Sequence, residues 1–135
     1  MERRALQLVL LVLSLIPLIG LTIGFGPGVG FFFPDGVTPP VDLDNQFRYL
    51  SGVYASVTLG IWYALPRIDE RLAPMRIVAA GVMLGAVGRV LSMLAYGLPD
   101  DVTMIAGVAL EGGVVPLLLM WQSRLHRLRL ARLAA

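Results

Sequence analysis

The segment MLGAVGRVLSML, residues 83–94, places one arginine, Arg89, inside a run of apolar and small residues. The whole 135-residue chain has a similar character: 57% of its residues are hydrophobic, 15% are charged, and the mean hydropathy is +0.78. Such a chain has too little polar surface to cover a water-soluble globule. We therefore interpret it as an integral membrane protein, in which a charge within an apolar segment needs a specific partner.

Four apolar segments each approach the roughly 20 residues that a helix needs to cross about 30 Å of hydrocarbon. They lie at about residues 5–24, 45–65, 75–96 and 102–123. Glycine and proline cluster between them, as is typical of loops. The sequence thus predicts an all-α protein, an integral membrane four-helix bundle, with a single domain over residues 1–135 and a basic tail at 124–135.

The first apolar segment follows the residues MERR, which resemble the basic start of a signal peptide. Its apolar run is longer than that of a signal peptide, and no A-x-A cleavage motif ends it. We expect it to be retained as a membrane anchor.

The placement of arginine predicts the orientation, because short arginine-rich loops stay on the cytoplasmic side. All eleven basic residues are arginine, which hints at a bacterial genome rich in G and C. Nine of the eleven fall before the first segment, around the second loop or after the fourth segment. The first and third loops contain only acidic charges. Both termini are therefore predicted to be cytoplasmic, in the bacterial inner membrane.

Depth along the helices predicts the partner of Arg89. The third segment runs outward, so Arg89 lies about eight residues, or roughly 12 Å, below its outer end. The fourth segment runs inward, and Glu111 lies about eight residues below the same end. Because an isolated charge near the bilayer centre costs about 2.5–3.5 kcal/mol or more, the two are expected to face each other. Gly81 and Gly85 share the helix face of Arg89, and Gly107 precedes Glu111 by one turn, so the backbones could approach closely.

Arg48 is the other arginine within an apolar segment. It begins a series of small residues at four-residue spacing, Gly52, Ser56, Gly60 and Ala64, which is typical of a packed transmembrane helix face. Two alternatives remain open for Arg48. It could reach a lipid phosphate or pair with Asp44 or Asp42. It could instead turn inward and join Arg89 and Glu111 in an electropositive pocket, with Asn45 and Tyr49 at its rim.

Several chemistries are disfavoured by composition. No cysteine is present, and His126 is the one histidine, so a thiolate or multi-histidine metal site within one chain is excluded and no cofactor is expected. His126 also lies in the basic tail, away from Ser51, Ser56 and Ser92, which argues against a serine hydrolase. The segment GFGPGVG lacks the lysine and hydroxyl residue of a phosphate-binding loop. Enzymatic activity is therefore not expected.

The basic tail RLHRLRLARLAA begins where the fourth apolar segment ends. Its arginines are expected to rest on anionic lipid headgroups, each contributing about 1 kcal/mol near such a surface. Membrane lipids are the expected partners of this tail, and nucleic acid is not.

Three polar-containing segments carry a family resemblance: LDNQFRYLSGVY, VGRVLS and LEGGVVPLLLMWQ, in that order and spacing. Together they resemble a family of small four-span bacterial membrane proteins known as domain of unknown function 4345, over about residues 20–122. The resemblance implies the fold and the membrane location, without an activity. It also implies that the recurring polar positions of the family correspond here to Asp44, Asn45, Arg48, Arg89 and Glu111, which form the candidate intramembrane polar cluster.

Three functional hypotheses follow. The first is a non-enzymatic accessory or structural subunit that binds a partner protein or forms a homo-oligomer, stabilised by the Arg89–Glu111 pair. The second is a binder or carrier of a lipophilic anion, such as a lipid or a quinone-like molecule, in the outer half of the bundle. The third is a proton-coupled small exporter with Glu111 as the proton carrier, although a neighbouring arginine would favour the ionised carboxylate.

Overall fold

The structure is a computed structural model that describes residues 2–134, and every regular element in that range is helical. Two short 3₁₀ turns, Gly28–Phe32 and Leu65–Arg67, lie between helices, and a π-turn, Leu110–Val114, joins the last two. The six α-helices are α1 Glu2–Leu13, α2 Leu15–Phe25, α3 Val41–Ala64, α4 Leu72–Tyr96, α5 Val102–Ala109 and α6 Val115–Ala134. The all-α prediction is confirmed for the described residues.

Three segments are long and apolar enough to cross a membrane: Glu2–Phe25, Leu72–Tyr96 and Val102–Ala134. They contain the first, third and fourth predicted segments. Helix α3 coincides with the second predicted segment and has sufficient length at 24 residues, but it is less apolar and is not among the three. The chain therefore has the character of a helical membrane protein, and the crossing of α3 remains a prediction.

The first segment is interrupted at Ser14, between α1 and α2. Pro17 explains the interruption, because proline has no N–H to donate to the carbonyl of Leu13 and its ring crowds that carbonyl. Helix α3 compensates the irregular turn: Thr58 Oγ1 donates to the Ser14 carbonyl at 2.8 Å, and Trp62 Nε1 donates to Ser14 Oγ at 3.0 Å. Ser14 and Thr58 are fully buried.

The fourth segment changes its helical repeat at Leu110–Val114, where the Val115 N–H donates to the carbonyl of Leu110, five residues back. Pro116 lies just beyond and cannot donate to Gly112, and the pair Gly112–Gly113 lowers the cost of an irregular backbone. Single π-turns of this kind occur frequently at functional sites. This one contains Glu111.

The apolar core lies towards the end of the bundle where α1, the α3–α4 connection and α6 meet. Its buried members are Leu6, Leu10, Ile61, Ala64, Ile68, Met75 and Leu125. At the opposite end, α5 packs against α4 and the π-turn, and among the described residues neither α2 nor α3 comes close to it. Helices α1, α3, α4 and α6 thus pack together at the end that contains this core, which we call the joined end. At the opposite end, the open end, α5 contacts neither α2 nor α3 within residues 2–134.

Candidate functional site: two separate arginine–carboxylate pairs

The ion pair predicted between α4 and the last transmembrane segment is present. Arg89 Nε donates to Glu111 Oε2 at 3.2 Å, and Arg89 Nη1 lies 3.3 Å from the sulfur of Met104. The two partners differ in burial: the Glu111 side chain is 9% exposed, whereas that of Arg89 is 40% exposed. The Glu111 side chain is enclosed by the chain, whereas the Arg89 side chain is partly open.

Small residues surround this pair, as the sequence predicted. A Cβ atom at Gly107 would lie 3.7 Å from Arg89 Cζ, and one at Gly85 would lie 3.9 Å from Glu111 Oε2. These are ordinary contact distances, so alanine would fit at either position. Gly81 and Gly88 have no atom within 4 Å of such a Cβ, and they leave this face of α4 open.

Arg48 forms a second, separate pair. Its Nε donates to Asp44 Oδ2 at 2.7 Å, one helical turn earlier in α3. Its Nη1 donates to the carbonyls of Gly24, Phe25 and Gly26 at 3.1–3.3 Å. Because a helix C-terminus has unpaired carbonyls and partial negative charge, Arg48 stabilises the end of α2.

Asp44 fixes the adjoining turn by accepting the Val29 N–H at 3.0 Å with its other oxygen. The hydrogen bonds from Arg48 and from the Val29 backbone lower the pKa of the Asp44 carboxyl below its ordinary value. The glycine-rich segment GFGPGVG, residues 24–30, is therefore ordered: it ends α2 and begins the turn Gly28–Phe32, in which Gly28 and Val29 are buried.

The arrangement decides between the two alternatives for Arg48. Arg48 pairs with Asp44, and the electropositive pocket in which it would join Arg89 and Glu111 does not form. Each arginine has its own carboxylate, so neither pair carries a net charge. Asn45 is exposed and, among the described residues, its side chain makes no hydrogen bond. The five candidate residues thus divide into an α3 group and an α4–π-turn group.

A polar cluster at the joined end was not predicted from the sequence. Asp69, in the α3–α4 connection, is nearly buried and forms ion pairs with Arg3 at 3.3 Å and Arg129 at 3.6 Å. Gln122, which is 2% exposed, donates to the carbonyl of Ile68 at 2.8 Å. The sequence contained a signal for this cluster. The adjacent acidic residues of RIDER lie among arginines, which indicates a local ionic contact.

The buried contact between Ser14 and Thr58 was also missed. Its signal was Pro17 within the first apolar segment, because a proline there disrupts the preceding helical turn, whose backbone groups then need other polar partners. The glycines of α2 and of the turn that follows it gave another missed signal. Gly20, Gly24 and Gly28 recur every four residues, and each faces α3, against Tyr54, Ser51 and Asp44 respectively.

Within residues 2–134, no three His, Asp or Glu side chains converge as they would around a metal ion. Neither ion pair has a serine or histidine at hydrogen-bond distance among its described contacts.

The family model described as "Domain of unknown function (DUF4345)" matches residues 5–122, which is most of the chain. The chain belongs to this family. The predicted resemblance is confirmed, and the matched range of this DUF4345 member contains both arginine–carboxylate pairs. Comparisons with curated proteins and with solved structures give no significant match.

Proposed function

We propose that this protein is a non-enzymatic accessory subunit of the bacterial inner membrane that binds a transmembrane helix of a partner protein at the open face of α4. The observation that carries the proposal is the partial exposure of Arg89, whose side chain is 40% exposed although its partner Glu111 is buried.

A partner that covers the Arg89 side chain would lower the free energy of this charge in the membrane. At the predicted depth, a guanidinium edge facing hydrocarbon is costly, and intramembrane charges normally face a protein interior or a polar ligand. Gly81 and Gly88 lie beside Arg89 on α4 with open space around them. Small residues on a transmembrane helix let another backbone approach closely, which is the main source of helix association in lipid. A partner helix with an acceptor group would satisfy both features.

The proposed orientation has both termini in the cytoplasm. Supporting it, the ion pairs of Arg3 and Arg129 with Asp69, and of Arg124 with Glu2 at 3.2 Å, gather the N-terminal helix, the α3–α4 connection and α6 at one end. That end contains the arginine-rich segments, which remain cytoplasmic by the charge rule.

The two other hypotheses have less support. A lipophilic anion in the outer half needed the combined charge of Arg48 and Arg89, and Arg48 is neutralised by Asp44. Proton-coupled export would require the Arg89–Glu111 pair to separate in each cycle, because the arginine favours the ionised carboxylate.

The test is native mass spectrometry after gentle extraction from the source membrane. We expect a stoichiometric partner protein with the unaltered chain and its loss with the double variant Arg89→Leu, Glu111→Leu. The matched control is Asp44→Leu, Arg48→Leu, which removes the other pair and should retain the partner. Loss with the control alone would overturn the proposal, and a co-purifying lipophile in place of a protein would support the second hypothesis. Recovery of only self-associated chains would identify the partner as a second copy.

A further inference from the structure

A wide polar groove lies at the joined end of the molecule, between the start of α4 and the middle of α6. Its volume is about 860 Å³, and its lining includes Glu2, Arg76, Trp121, Arg124 and Arg127. Glu2 is paired with Arg124 at 3.2 Å. Among the described residues, Arg76 and Arg127 form no ion pair and no side-chain hydrogen bond. With three arginines and one glutamate, the groove has a net positive charge of two.

An apolar groove continues from the polar one. It has a volume of about 730 Å³ and shares Arg76 and Leu119 with the polar groove. From there it follows α4 past Ala80, Met83 and Val87 to Leu91. The 15 residues from Arg76 to Leu91 correspond to about 22 Å along the helix, and one leaflet of hydrocarbon is about 15 Å deep. The groove is therefore longer than one leaflet is deep, which is enough to hold one acyl chain.

Together the two grooves complement a phospholipid: the first offers positive charge to an anionic headgroup, and the second offers apolar surface to an acyl chain. The arginines lie at the predicted cytoplasmic boundary, where Trp121 is also placed, and tryptophan prefers the headgroup level. Basic pockets between transmembrane helices on the cytoplasmic side bind anionic headgroups. The apolar continuation distinguishes a lipid from a free phosphate, which would use the arginines alone.

We propose that the two grooves together bind one anionic phospholipid, with its phosphate between Arg76 and Arg127 and one acyl chain along α4 beside Ala80 and Val87. The site does not depend on the partner helix proposed above, which covers Gly81 and Gly88 on an adjoining face of α4.

The experiment reconstitutes the full chain in nanodiscs of phosphatidylcholine containing phosphatidylglycerol, and native mass spectrometry counts the lipids that stay bound after release. We expect one tightly retained phosphatidylglycerol. In the variant Arg76→Gln, Arg127→Gln its retention over phosphatidylcholine should fall about thirtyfold, equivalent to about 2 kcal/mol. The matched control, Arg67→Gln with Arg132→Gln, removes two arginines outside the groove that form no ion pair within residues 2–134, and it should leave retention unchanged.

A third variant tests the apolar groove without a change of charge. Ala80→Phe places a ring in it and should lower retention of phosphatidylglycerol, whereas Leu117→Phe, at an exposed position outside the groove, should not. Equal losses in the two arginine variants would indicate general surface charge and overturn the site. Unchanged retention in Ala80→Phe, or displacement of the lipid by inorganic phosphate alone, would also overturn it.

Discussion

At the scale of single residues, the molecule uses arginine in two different ways. Arg48 closes a local contact: it binds the carboxylate one turn away and the carbonyl ends of α2. Arg89 makes a contact across the chain, to a glutamate 22 residues later. The first stabilises a helix end and a turn, whereas the second joins two transmembrane segments.

Leucine substitutions in the Arg89–Glu111 pair should destabilise the protein unequally. Arg89→Leu leaves an unpaired carboxylate on a side chain that is 9% exposed, whereas Glu111→Leu leaves an arginine whose side chain is 40% exposed and which water can reach in detergent. We expect Arg89→Leu to lower the free energy of unfolding more than Glu111→Leu does. Because the pair is only partly buried, the loss should be smaller than the about 3–5 kcal/mol typical of fully buried pairs. The measurement is thermal unfolding of each variant in detergent.

The double variant completes this comparison. Replacing both charges by leucine should restore most of the lost stability, because no charge is then left unpaired. Groups in contact should show a coupling free energy of about 0.5–3 kcal/mol in the double-mutant cycle. Simple additivity of the two single changes would contradict the contact.

Gly28 should tolerate alanine less well than Gly36 does. Both have positive φ, 66° and 81°, which costs a non-glycine residue about 1–2 kcal/mol. A methyl group at Gly28 would also collide with Asp44 and Arg48, whereas one at Gly36 meets open space. Thermal unfolding should therefore show a larger loss for Gly28→Ala. Equal losses would mean that the turn is not packed against α3.

At the scale of elements, prolines and glycines set where helices change direction or repeat. Pro17 separates α1 from α2, and Pro116 follows the π-turn that carries Glu111. In both places another part of the chain contacts the irregular turn: Thr58 donates to the Ser14 carbonyl, and Arg89 donates to the side-chain carboxylate of Glu111. Each of these two irregular turns is thus linked to a neighbouring helix by a side-chain hydrogen bond.

The attachment of the Gly28–Phe32 turn to α3 should weaken in acid. Since the pKa of Asp44 is lowered in the folded protein, its stabilising contribution is complete above the ordinary aspartate value of about 3.9 and declines as the pH falls through the lower folded-state value. The stability difference between the wild type and Asp44→Asn should therefore shrink below about pH 3.9. Thermal unfolding as a function of pH measures it.

The control for this pH dependence is Asp42→Asn. Asp42 lies in the same first turn of α3 but forms no ion pair among the described residues. Its substitution should change stability little at any pH. A constant difference between wild type and Asp44→Asn down to pH 2 would contradict the assignment.

At the scale of the whole molecule, the helices are joined at the arginine-rich end and open at the other. The joined end has the apolar core and the ion pairs of Asp69. The open end has α5 in contact with α4 and away from α2 and α3. The proposed partner helix would contact the partly exposed Arg89 towards the open end, while the proposed lipid groove lies at the joined end.

The predicted topology can be checked with reporter fusions. Because arginine-rich loops stay cytoplasmic, fusions after Pro34 and Pro99 should report an extracytoplasmic position and a fusion after Glu70 a cytoplasmic one. The fusion after Pro34 also tests whether α3 crosses the membrane, since Pro34 and Glu70 lie on either side of it. A cytoplasmic signal at Pro34 would reject the orientation.

The sequence alone determined the helical membrane class, the family and the Arg89–Glu111 contact. The membrane class follows from the high mean hydropathy, because the hydrocarbon core of a bilayer admits few polar groups. The pair follows from depth, because helices rise by a fixed 1.5 Å per residue and a lone intramembrane charge is costly.

Only the tertiary structure decided which partner Arg48 takes and how the joined end is held together. Asp44, Asp42 and the inward position were all open as alternatives from the sequence, and the end of α2 favours the Asp44 pairing by adding three carbonyl acceptors. The Asp69 and Gln122 contacts likewise join residues more than 50 positions apart. Their geometry depends on how the helices pack, which residue spacing along a single helix does not encode.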